Sequence, residues 1–172
     1  MSDEFTLDTR DGQIDDSVFI ADGAKVIGDV TIGPDSTIWY GVVVRGDTEP
    51  IRIGAATNIQ DGCILHGDPG LPCIVGDRCT VGHAAIVHGA VVEDDVLIGM
   101  RATILNGARV GSGSVIAAGA IVTENTVVPP GSLVMGIPGK VRGECNETHR
   151  RMIADGTKHY VAAGRAYRER FG

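Results

Sequence analysis

Apolar residues recur at every sixth position through most of the chain. An aliphatic residue stands at each step from Ile14 onward, and only three steps depart from six residues. The fourth residue after an anchor is usually small or β-branched, as Ala24, Ala85 and Ala102 illustrate. A period of six fits neither the turn of an α-helix, about 3.6 residues, nor simple alternation along one long strand. The twenty anchors are Ile14, Ile20, Val26, Ile32, Ile38, Val44, Ile53, Ile59, Leu65, Val75, Val81, Val87, Val92, Ile98, Ile104, Val110, Ile116, Val122, Val128 and Val134.

This period predicts short strands that are joined by turns and stacked into a parallel β-helix. The pattern is the hexapeptide repeat, and it resembles the left-handed β-helix family, in which three hexapeptides complete one triangular coil. The handedness is implied by the resemblance alone, because the general preference for parallel crossovers is right-handed. We therefore expect an all-β fold, a left-handed parallel β-helix, with one α-helix after it.

The six-residue register breaks at three places. Residues 45–52 contain three residues more than a regular step, residues 66–74 contain four more, and residues 88–91 contain one fewer. Solenoid proteins tolerate such loop variation without any functional reason. All three breaks nevertheless flank the histidines discussed below, which favours a functional interpretation.

The repeat ends at Val134, and residues 135–140 are typical of an exit turn. We therefore divide the chain into two parts. Residues 1–140 are predicted to form a left-handed β-helix domain, which includes the histidines of the candidate metal site discussed below. Residues 141–172 form a C-terminal helical segment that packs on the β-helix.

Residues 146–171 predict a helix. Tyr160, Gly164 and Tyr167 recur there at helical spacing and form a stripe that can lie on one face of the β-helix. Gly156 interrupts the pattern and could divide the helix into two. The histidines of this segment are interpreted as surface residues.

Composition narrows the class of protein. Aromatic residues make up only 4% of the 172 residues and glycine accounts for 25, so branched aliphatic side chains must fill the core. The formal net charge is -7 and no basic run stands out, which argues against nucleic acid or an anionic membrane as a partner. No apolar run approaches the roughly 20 residues of a spanning helix. Residues 1–4 lack the apolar core of a signal peptide, so we expect a soluble, cytoplasmic protein.

The four cysteines show no CxxC pairing. Cys63 and Cys79 occupy the small-residue positions of the repeat, whereas Cys73 and Cys145 lie outside those positions. None has the neighbours typical of a metal site. We expect buried, reduced thiols.

Three histidines form a candidate metal site. His66 and His88 each follow an anchor directly, and their separation equals one coil of three hexapeptides plus the four-residue insertion. They should therefore occupy the same corner of adjacent coils, about 4.8 Å apart, close enough to share one ion. His83 lies one face earlier, so it reaches that ion most simply from the next subunit of a cyclic trimer. Three histidines and an open fourth position are typical of a catalytic zinc site.

Several motifs together resemble γ-class carbonic anhydrase-like proteins in order and spacing. The resemblance covers nearly the whole chain, from about residue 14 to residue 167. It implies a homotrimer with metal sites at the subunit interfaces, ligands His66, His83 and His88, and His83 donated by the neighbouring subunit. Zinc (Zn2+) is the usual ion, and Fe2+ or Co2+ suits the same ligands. The motifs are Arg45-Gly46-Asp47, Asn58-Ile59-Gln60-Asp61-Gly62, His66, Gly82-His83 and His88-Gly89.

The same resemblance implies roles for five further residues. Asn58 and Gln60 would contact the metal-bound water or bicarbonate. Arg45 and Asp47 would form an ion pair at the interface, with Asp47 also orienting Gln60. Tyr160 would reach the pocket from the C-terminal helix. Purely structural roles remain open for the ion pair and for the two amides, which also suit turn hydrogen bonding.

The activity implied by the resemblance is the reversible hydration of CO2 to bicarbonate. Zinc lowers the pKa of bound water to about 7, for which carbonic anhydrase is the standard example, and the resulting hydroxide attacks CO2. Fully active members have an acidic residue where this chain has Thr48. Asp68 is the only carboxylate in the short loop after His66. Glu49 is nearby, but it lies one position after the place where the family has its acidic residue. We therefore expect metal binding together with slow proton release, unless Glu49, Asp68 or buffer replaces the missing group.

Three other functions stay open. Many hexapeptide-repeat proteins are acyltransferases, but those use a catalytic histidine without a metal triad. Some relatives resemble metal-dependent acyl-CoA thioesterases, and these could use the same site. A weakly active assembly protein that keeps the metal site is the third alternative, although no ligand is lost here.

Overall fold

The computed structural model describes residues 13–171, so the acidic residues 1–4 and the short segment 5–12 lie outside the described residues. Within the described part, strands follow one another until a single helix begins near the C-terminus. The elements are β1 (Phe19–Ile20), β2 (Lys25–Ile32), β3 (Thr37–Ile38), β4 (Val43–Ile53), β5 (Asn58–Ile59), β6 (Ile64–His66), β7 (Cys73–Val75), β8 (Thr80–Val81), β9 (Ile86–His88), β10 (Val91–Val92), β11 (Leu97–Ile98), β12 (Thr103–Ile104), β13 (Arg109–Val110), β14 (Val115–Ile116), β15 (Ile121–Val122), β16 (Val127–Val128), β17 (Ser132–Met135), β18 (Lys140–Glu144) and α1 (Glu147–Phe171).

The strands stack in three columns that form the faces of a prism. The first face contains β1, β3, β5, β8, β11, β14 and β17 in that order. Strand β4 turns a corner, so its first half pairs with β6 on the second face and its last half pairs with β7 on the third. Face 2 continues through β9, β12 and β15, and face 3 continues through β10, β13 and β16. The stacking is parallel, which confirms the expected β-helix.

The register between coils follows the predicted count. Val115 pairs with Leu97 on the coil before and with Leu133 on the coil after, each three hexapeptides away along the chain. Across the breaks the interval changes: from Asn58 to its partner Thr80 it is longer by the insertion, and from Thr80 to its partner Leu97 it is shorter by the deletion. The ladders therefore continue across the breaks, with the three-residue insertion as a register irregularity within β4 and the four-residue insertion between β6 and β7.

The aliphatic anchors fill the inside of the prism. Ile14 and Ile20 are exceptions, with 41% and 38% of their surface exposed. Both lie in the first coil, where the described residues pack against the anchors from one side only. Anchors without any exposed surface include Ile38, Ile59, Leu65, Val81, Val87, Ile98, Ile104 and Ile116.

All four cysteines are buried and free, as predicted. Cys63, Cys73 and Cys79 belong to the main core. Burial raises the pKa of each of these three thiols to about 12. Cys145 packs separately with Ile153 of α1.

Helix α1 begins after Asn146, whose side-chain oxygen accepts a hydrogen bond from the backbone N–H of His149 (3.1 Å). The helix continues through Gly156, so the expected division at that residue is wrong. One glycine costs only about 1 kcal/mol in a helix, and tertiary packing can offset that cost. Packing at this point is close, since a Cβ on Gly156 would lie 3.3 Å from the Thr80 hydroxyl. Of the helices in residues 13–171, none is both long and apolar enough to span a membrane.

The predicted stripe on α1 packs against face 1. Tyr160 and Tyr167 contact an aromatic cluster built on Phe19 and Trp39. Gly164 lies so close to Thr37 that a Cβ would collide with the threonine side chain. The stripe therefore fixes α1 beside the first coils of the prism.

Strand β18 was not expected from the sequence. The predicted exit turn is present at residues 136–139. After it, Lys140–Glu144 returns antiparallel to β17. This strand crosses residue 140, the boundary proposed between the two parts of the chain. The division into 1–140 and 141–172 stays a prediction.

Truncation of a core side chain should be costly because it removes buried apolar surface and leaves a cavity. The Ile98 side chain is fully buried. Ile98→Ala should therefore lower the free energy of unfolding by about 2–5 kcal/mol. Urea unfolding at one fixed protein concentration measures the change.

The control for this change is Val127→Ala, at a residue that is largely exposed. A surface substitution of this kind should change the free energy of unfolding by less than about 0.5 kcal/mol. Equal effects of the two changes would contradict the assigned inside of the prism.

Candidate metal centre

His66 and His88 are cross-strand partners at the ends of β6 and β9. Their ring atoms Nδ1 (His66) and Nε2 (His88) are 3.0 Å apart, and both side chains are partly buried. The pair occupies one corner of two adjacent coils, as the spacing along the chain predicted. Each ring has a different partner on its other nitrogen, and those partners determine which nitrogens face each other.

The partner of His66 is a carboxylate. Nε2 of His66 lies 3.2 Å from Oδ1 of Asp47, which also accepts a hydrogen bond from Arg45 (2.8 Å). Burial raises the pKa of Asp47, but hydrogen bonds from Arg45 and His66 outweigh it and hold that pKa below its ordinary value. An ionised Asp47 can only accept, so the proton of a neutral His66 stays on Nε2 and Nδ1 keeps a lone pair.

The partner of His88 is Asn106. Asn106 Nδ2 donates to Oδ2 of Asp68 (2.7 Å), which leaves Oδ1 of the same amide to face Nδ1 of His88 (2.7 Å). Nδ1 of a neutral His88 therefore carries the proton, and Nε2 keeps a lone pair. Sequence reasoning missed Asn106. The available signal was its position one coil, or three hexapeptides, after His88.

Two imidazole lone pairs that face each other at 3.0 Å repel unless a proton or a cation lies between them. A carboxylate oxygen of Asp68 joins the group, since ligand atoms of His66, Asp68 and His88 all lie within 4.8 Å of one another. This donor set of two imidazoles and a carboxylate is a common one for divalent transition metals. The corner is therefore a candidate metal centre within one chain.

His83 lies at a different corner, where face 1 meets face 2. Its Nδ1 is 2.8 Å from Oδ2 of Asp61, and both side chains have 45% of their surface exposed. The bond to Asp61 leaves Nε2 of His83 directed away from the carboxylate and available as a ligand. Its own chain therefore holds His83 apart from the histidine pair.

Two predicted site residues accompany His83 instead of the histidine pair. The backbone N–H of His83 donates to Oε1 of Gln60 (3.2 Å), and Nε2 of Gln60 donates to Oδ1 of Asn58 (3.1 Å). Asn58 and Gln60 are 1% and 6% exposed, so this amide chain is rigidly placed. Within one chain, Asp47 contacts Arg45 and His66, whereas the Gln60 amide contacts Asn58 and His83. The expected contact between Asp47 and Gln60 would therefore need a second subunit.

Tyr160 also belongs to the His83 half. It is partly buried against Trp39 and lines a surface cavity together with Asp61 and Tyr40. Burial and the charge of Asp61 raise the pKa of Tyr160. The structure therefore divides the predicted site residues between two half-sites. The histidine-pair half contains His66 and His88 with Asp47 and Arg45. The His83 half contains His83 with Asn58, Gln60 and Tyr160, together with Asp61, which was not predicted as a site residue.

Face 2 lies between the two half-sites. Its outward column runs through Ile64, Ile86 and Ile121, which stand in register on successive coils with Thr103 between the last two. Within a coil, the chain passes the corner of His83 before it enters face 2. It reaches the corner of His66 and His88 at the end of face 2. One face thus carries both half-sites at opposite edges and apolar side chains in the middle, and Ile64 is 42% exposed.

Asn106→Ala should loosen the histidine-pair half by removing the acceptor on Nδ1 of His88. Loss of such a partner usually weakens metal affinity by about 10–100-fold. In the metal-free protein, imidazole 15N shifts should report the Nδ1–H tautomer of His88 and its loss in the variant. The exposed His159 ring is the internal control and should not change. A wild-type His88 that carries its proton on Nε2 would contradict the assigned geometry.

Comparison with known proteins agrees with the fold and with the predicted family. The bacterial transferase hexapeptide model (six repeats) matches residues 11–46 and 89–124, and the hexapeptide repeat of succinyl-transferase matches residues 72–100.

A Methanocaldococcus jannaschii protein described as a probable carbonic anhydrase is 51% identical over 86% of this chain and 93% of its own length. The mitochondrial gamma carbonic anhydrase 2 of Arabidopsis thaliana is 42% identical over 86% of this chain and 55% of its own. A solved hexapeptide transferase family protein from Anaplasma phagocytophilum has a TM-score of 0.87 and 34% identity, with 91% of this chain and 92% of that chain covered. The chain therefore belongs to the γ-class carbonic anhydrase family of hexapeptide-repeat proteins.

Proposed function

We propose that this chain forms a homotrimer that binds one divalent metal ion at each subunit interface and catalyses the reversible hydration of CO2 to bicarbonate. The ligands are His66 and His88 of one subunit and the partner subunit's His83. Zn2+ is the proposed ion, and Fe2+ or Co2+ fits the same imidazole ligands. Relatives named carbonic anhydrase support the activity.

The observation that carries this proposal is the separation of the two half-sites. In each half, a partner from the same chain determines which ring nitrogen of the histidine is free to bind a metal. The partner is Asp47 for His66, Asn106 for His88 and Asp61 for His83. Neither half alone supplies three imidazoles. A second copy of the chain supplies the missing half, because every copy carries both halves.

The spacing of the histidine pair fits a metal ion. Two nitrogens bound tetrahedrally at about 2.0–2.1 Å from one ion lie about 3.3 Å apart. The observed distance between Nδ1 of His66 and Nε2 of His88 is 3.0 Å. A shift of a few tenths of an ångström therefore accommodates the ion between the two facing lone pairs.

Face 2 supports the trimer. A contact between different surfaces of identical subunits closes into a ring when its rotation fits, and three subunits make the smallest ring of this kind. The edges of face 2 are such a pair of different surfaces, one with His83 and the other with His66 and His88. The apolar column at Ile64, Ile86 and Ile121 would be buried between neighbouring subunits, which removes it from water.

When bound, the ion makes hydroxide available near neutral pH as the nucleophile for CO2. The protein's own groups orient the reactants. Gln60 is fixed by Asn58 and by the His83 backbone, and its amide can still offer an N–H to an oxygen of bicarbonate. Asp47 holds the His66 ring, and Arg45 keeps Asp47 ionised. Tyr160 extends from α1 and lines the cavity beside Asp61 in the His83 half.

Proton release should limit the reaction. Thr48 stands at the position where active members have an acidic residue, and Glu49 is engaged with the backbone N–H of Gly70 (2.7 Å). External buffer can accept the proton in place of a missing side chain. We therefore expect turnover that rises with the concentration of a buffer such as imidazole.

Thioester hydrolysis is the second candidate, and one observation favours it. An apolar groove of about 470 Å3 runs beside Gln60 and His83 and is lined by Leu97, Val115 and Met152 among others. This volume far exceeds that of CO2 and suits an alkyl or acyl chain. The same metal site could then activate water for attack on an acyl-CoA.

We also propose that the trimer works in the cytoplasm. Four free, buried thiols suit a reducing compartment.

Removal of one ligand tests the site. Wild-type protein should bind one ion per chain, and His66→Ala should lose that ion together with CO2 hydration measured by stopped flow, because the histidine pair is broken and only one imidazole remains in that half. His149→Ala changes a histidine of α1 that lines the apolar groove but belongs to neither half-site. It should bind metal and hydrate CO2 as wild type does.

Metal content by atomic absorption and the hydration rate are measured on the same samples. Full metal content in His66→Ala would reject the site. A metal-loaded wild type that hydrolyses an acyl-CoA but leaves CO2 unchanged, at every imidazole concentration, would select the thioesterase alternative.

A further inference from the structure

The histidine-pair half contains a carboxylate that the proposed three-histidine site does not use. A carboxylate oxygen of Asp68 lies within 4.8 Å of the ligand nitrogens of both His66 and His88. All three residues are partly buried and belong to the same chain. Two imidazoles and a carboxylate are known as a ligand set for Fe2+, with further coordination positions left open.

Asp68 is placed there by the same side chain that orients His88. The Asn106 amide accepts from Nδ1 of His88 and donates to Oδ2 of Asp68, both at 2.7 Å. One hydrogen bond to Oδ2 leaves the other oxygen and further lone pairs of the carboxylate for a cation. Asp47 orients His66 in the same manner, so each of the three donors has a supporting partner.

The backbone around Asp68 restricts how far the carboxylate can move. Its carbonyl accepts the N–H of Leu71 (2.8 Å), which closes a tight turn directly after β6. Ligands of a tetrahedral ion lie about 3.3 Å apart, so Asp68 needs to approach the rings by roughly 1.5 Å at most. A side-chain rotation can supply that distance without opening the turn.

We propose that Asp68 is a third, same-chain ligand that lets a single chain hold a divalent cation with His66 and His88 before assembly. The inference rests on the proposed metal site. In the trimer, the partner subunit's His83 takes the place of the carboxylate. If all four ligands stayed bound, the tetrahedral ion would have no open position, as in structural zinc sites.

The order of events follows from this exchange. An unassembled chain loads its ion through a weaker site with one oxygen ligand. Closure of the ring would then replace that oxygen with a third imidazole, so that the ion would keep three protein ligands and an open fourth position. Metal loading and subunit assembly are thereby coupled, and Asp68 serves the first step.

A variant without His83 isolates the same-chain site. His83→Ala removes the ligand that the next subunit would supply, so binding of Co2+ or Zn2+ to this protein reports His66, His88 and Asp68. Equilibrium dialysis should find one ion per chain. In the His83→Ala background, Asp68→Asn should weaken Co2+ affinity by about tenfold or more, since loss of even an indirect partner costs about 10–100-fold.

Glu49→Gln in the same background is the matched control. Glu49 is a second carboxylate of the loop region, and glutamine keeps the acceptor for the Gly70 N–H, so Co2+ affinity should not change. The visible spectrum of bound Co2+ provides an independent readout of the change in ligands at Asp68. Circular dichroism melts confirm that each variant is folded, and Asp68→Ala replaces Asp68→Asn if the latter is not.

Each outcome decides the matter. The inference is overturned if His83→Ala binds no ion, or if Asp68→Asn and Glu49→Gln leave the same Co2+ affinity and spectrum. Failure of the proposed function looks different, because His66→Ala in the otherwise wild-type chain would then keep its metal. Wild type that loads one ion per chain while His83→Ala loads none rejects only the role of Asp68.

Discussion

The hydrogen-bonded register between successive coils is the constraint on which the rest of the molecule depends. Parallel ladders hold neighbouring coils about 4.8 Å apart, and each residue lies opposite a fixed partner one coil away. This register brings together His66 and His88, which a full coil and an insertion separate along the chain. It also places Asn106 beside His88 on the next coil. Short aliphatic anchors make the register possible because they fill the prism without large rings.

The sequence predicted the features that depend on counting. Steps of six identify the inside of the prism, and one coil plus the insertion correctly pairs His66 with His88. Buried thiols at Cys63 and Cys79 follow from the same count. The stripe at Tyr160, Gly164 and Tyr167 indicated how the helix packs, since its aromatic side chains need an apolar face to cover.

Features that depend on side-chain orientation were not predictable in this way. Asn106, Asp61 and Asp68 are turn residues whose polar groups also suit ordinary turn hydrogen bonds, so the pattern alone does not distinguish them. Strand β18 is exposed along its length and lacks the alternation of apolar and polar residues that is typical of a half-buried strand. Gly156 shows the opposite case, in which tertiary contacts outweigh a local preference and keep the helix unbroken.

The central claim is that two separated half-sites meet across a subunit boundary around one ion. A crystal structure of the metal-loaded protein, with anomalous data at the absorption edge of the metal, tests it most directly. We predict a single peak about 2.0–2.1 Å from Nδ1 of His66, from Nε2 of His88 and from Nε2 of the partner subunit's His83. Histidine rings that point away from one another, with no anomalous peak between subunits, would contradict it.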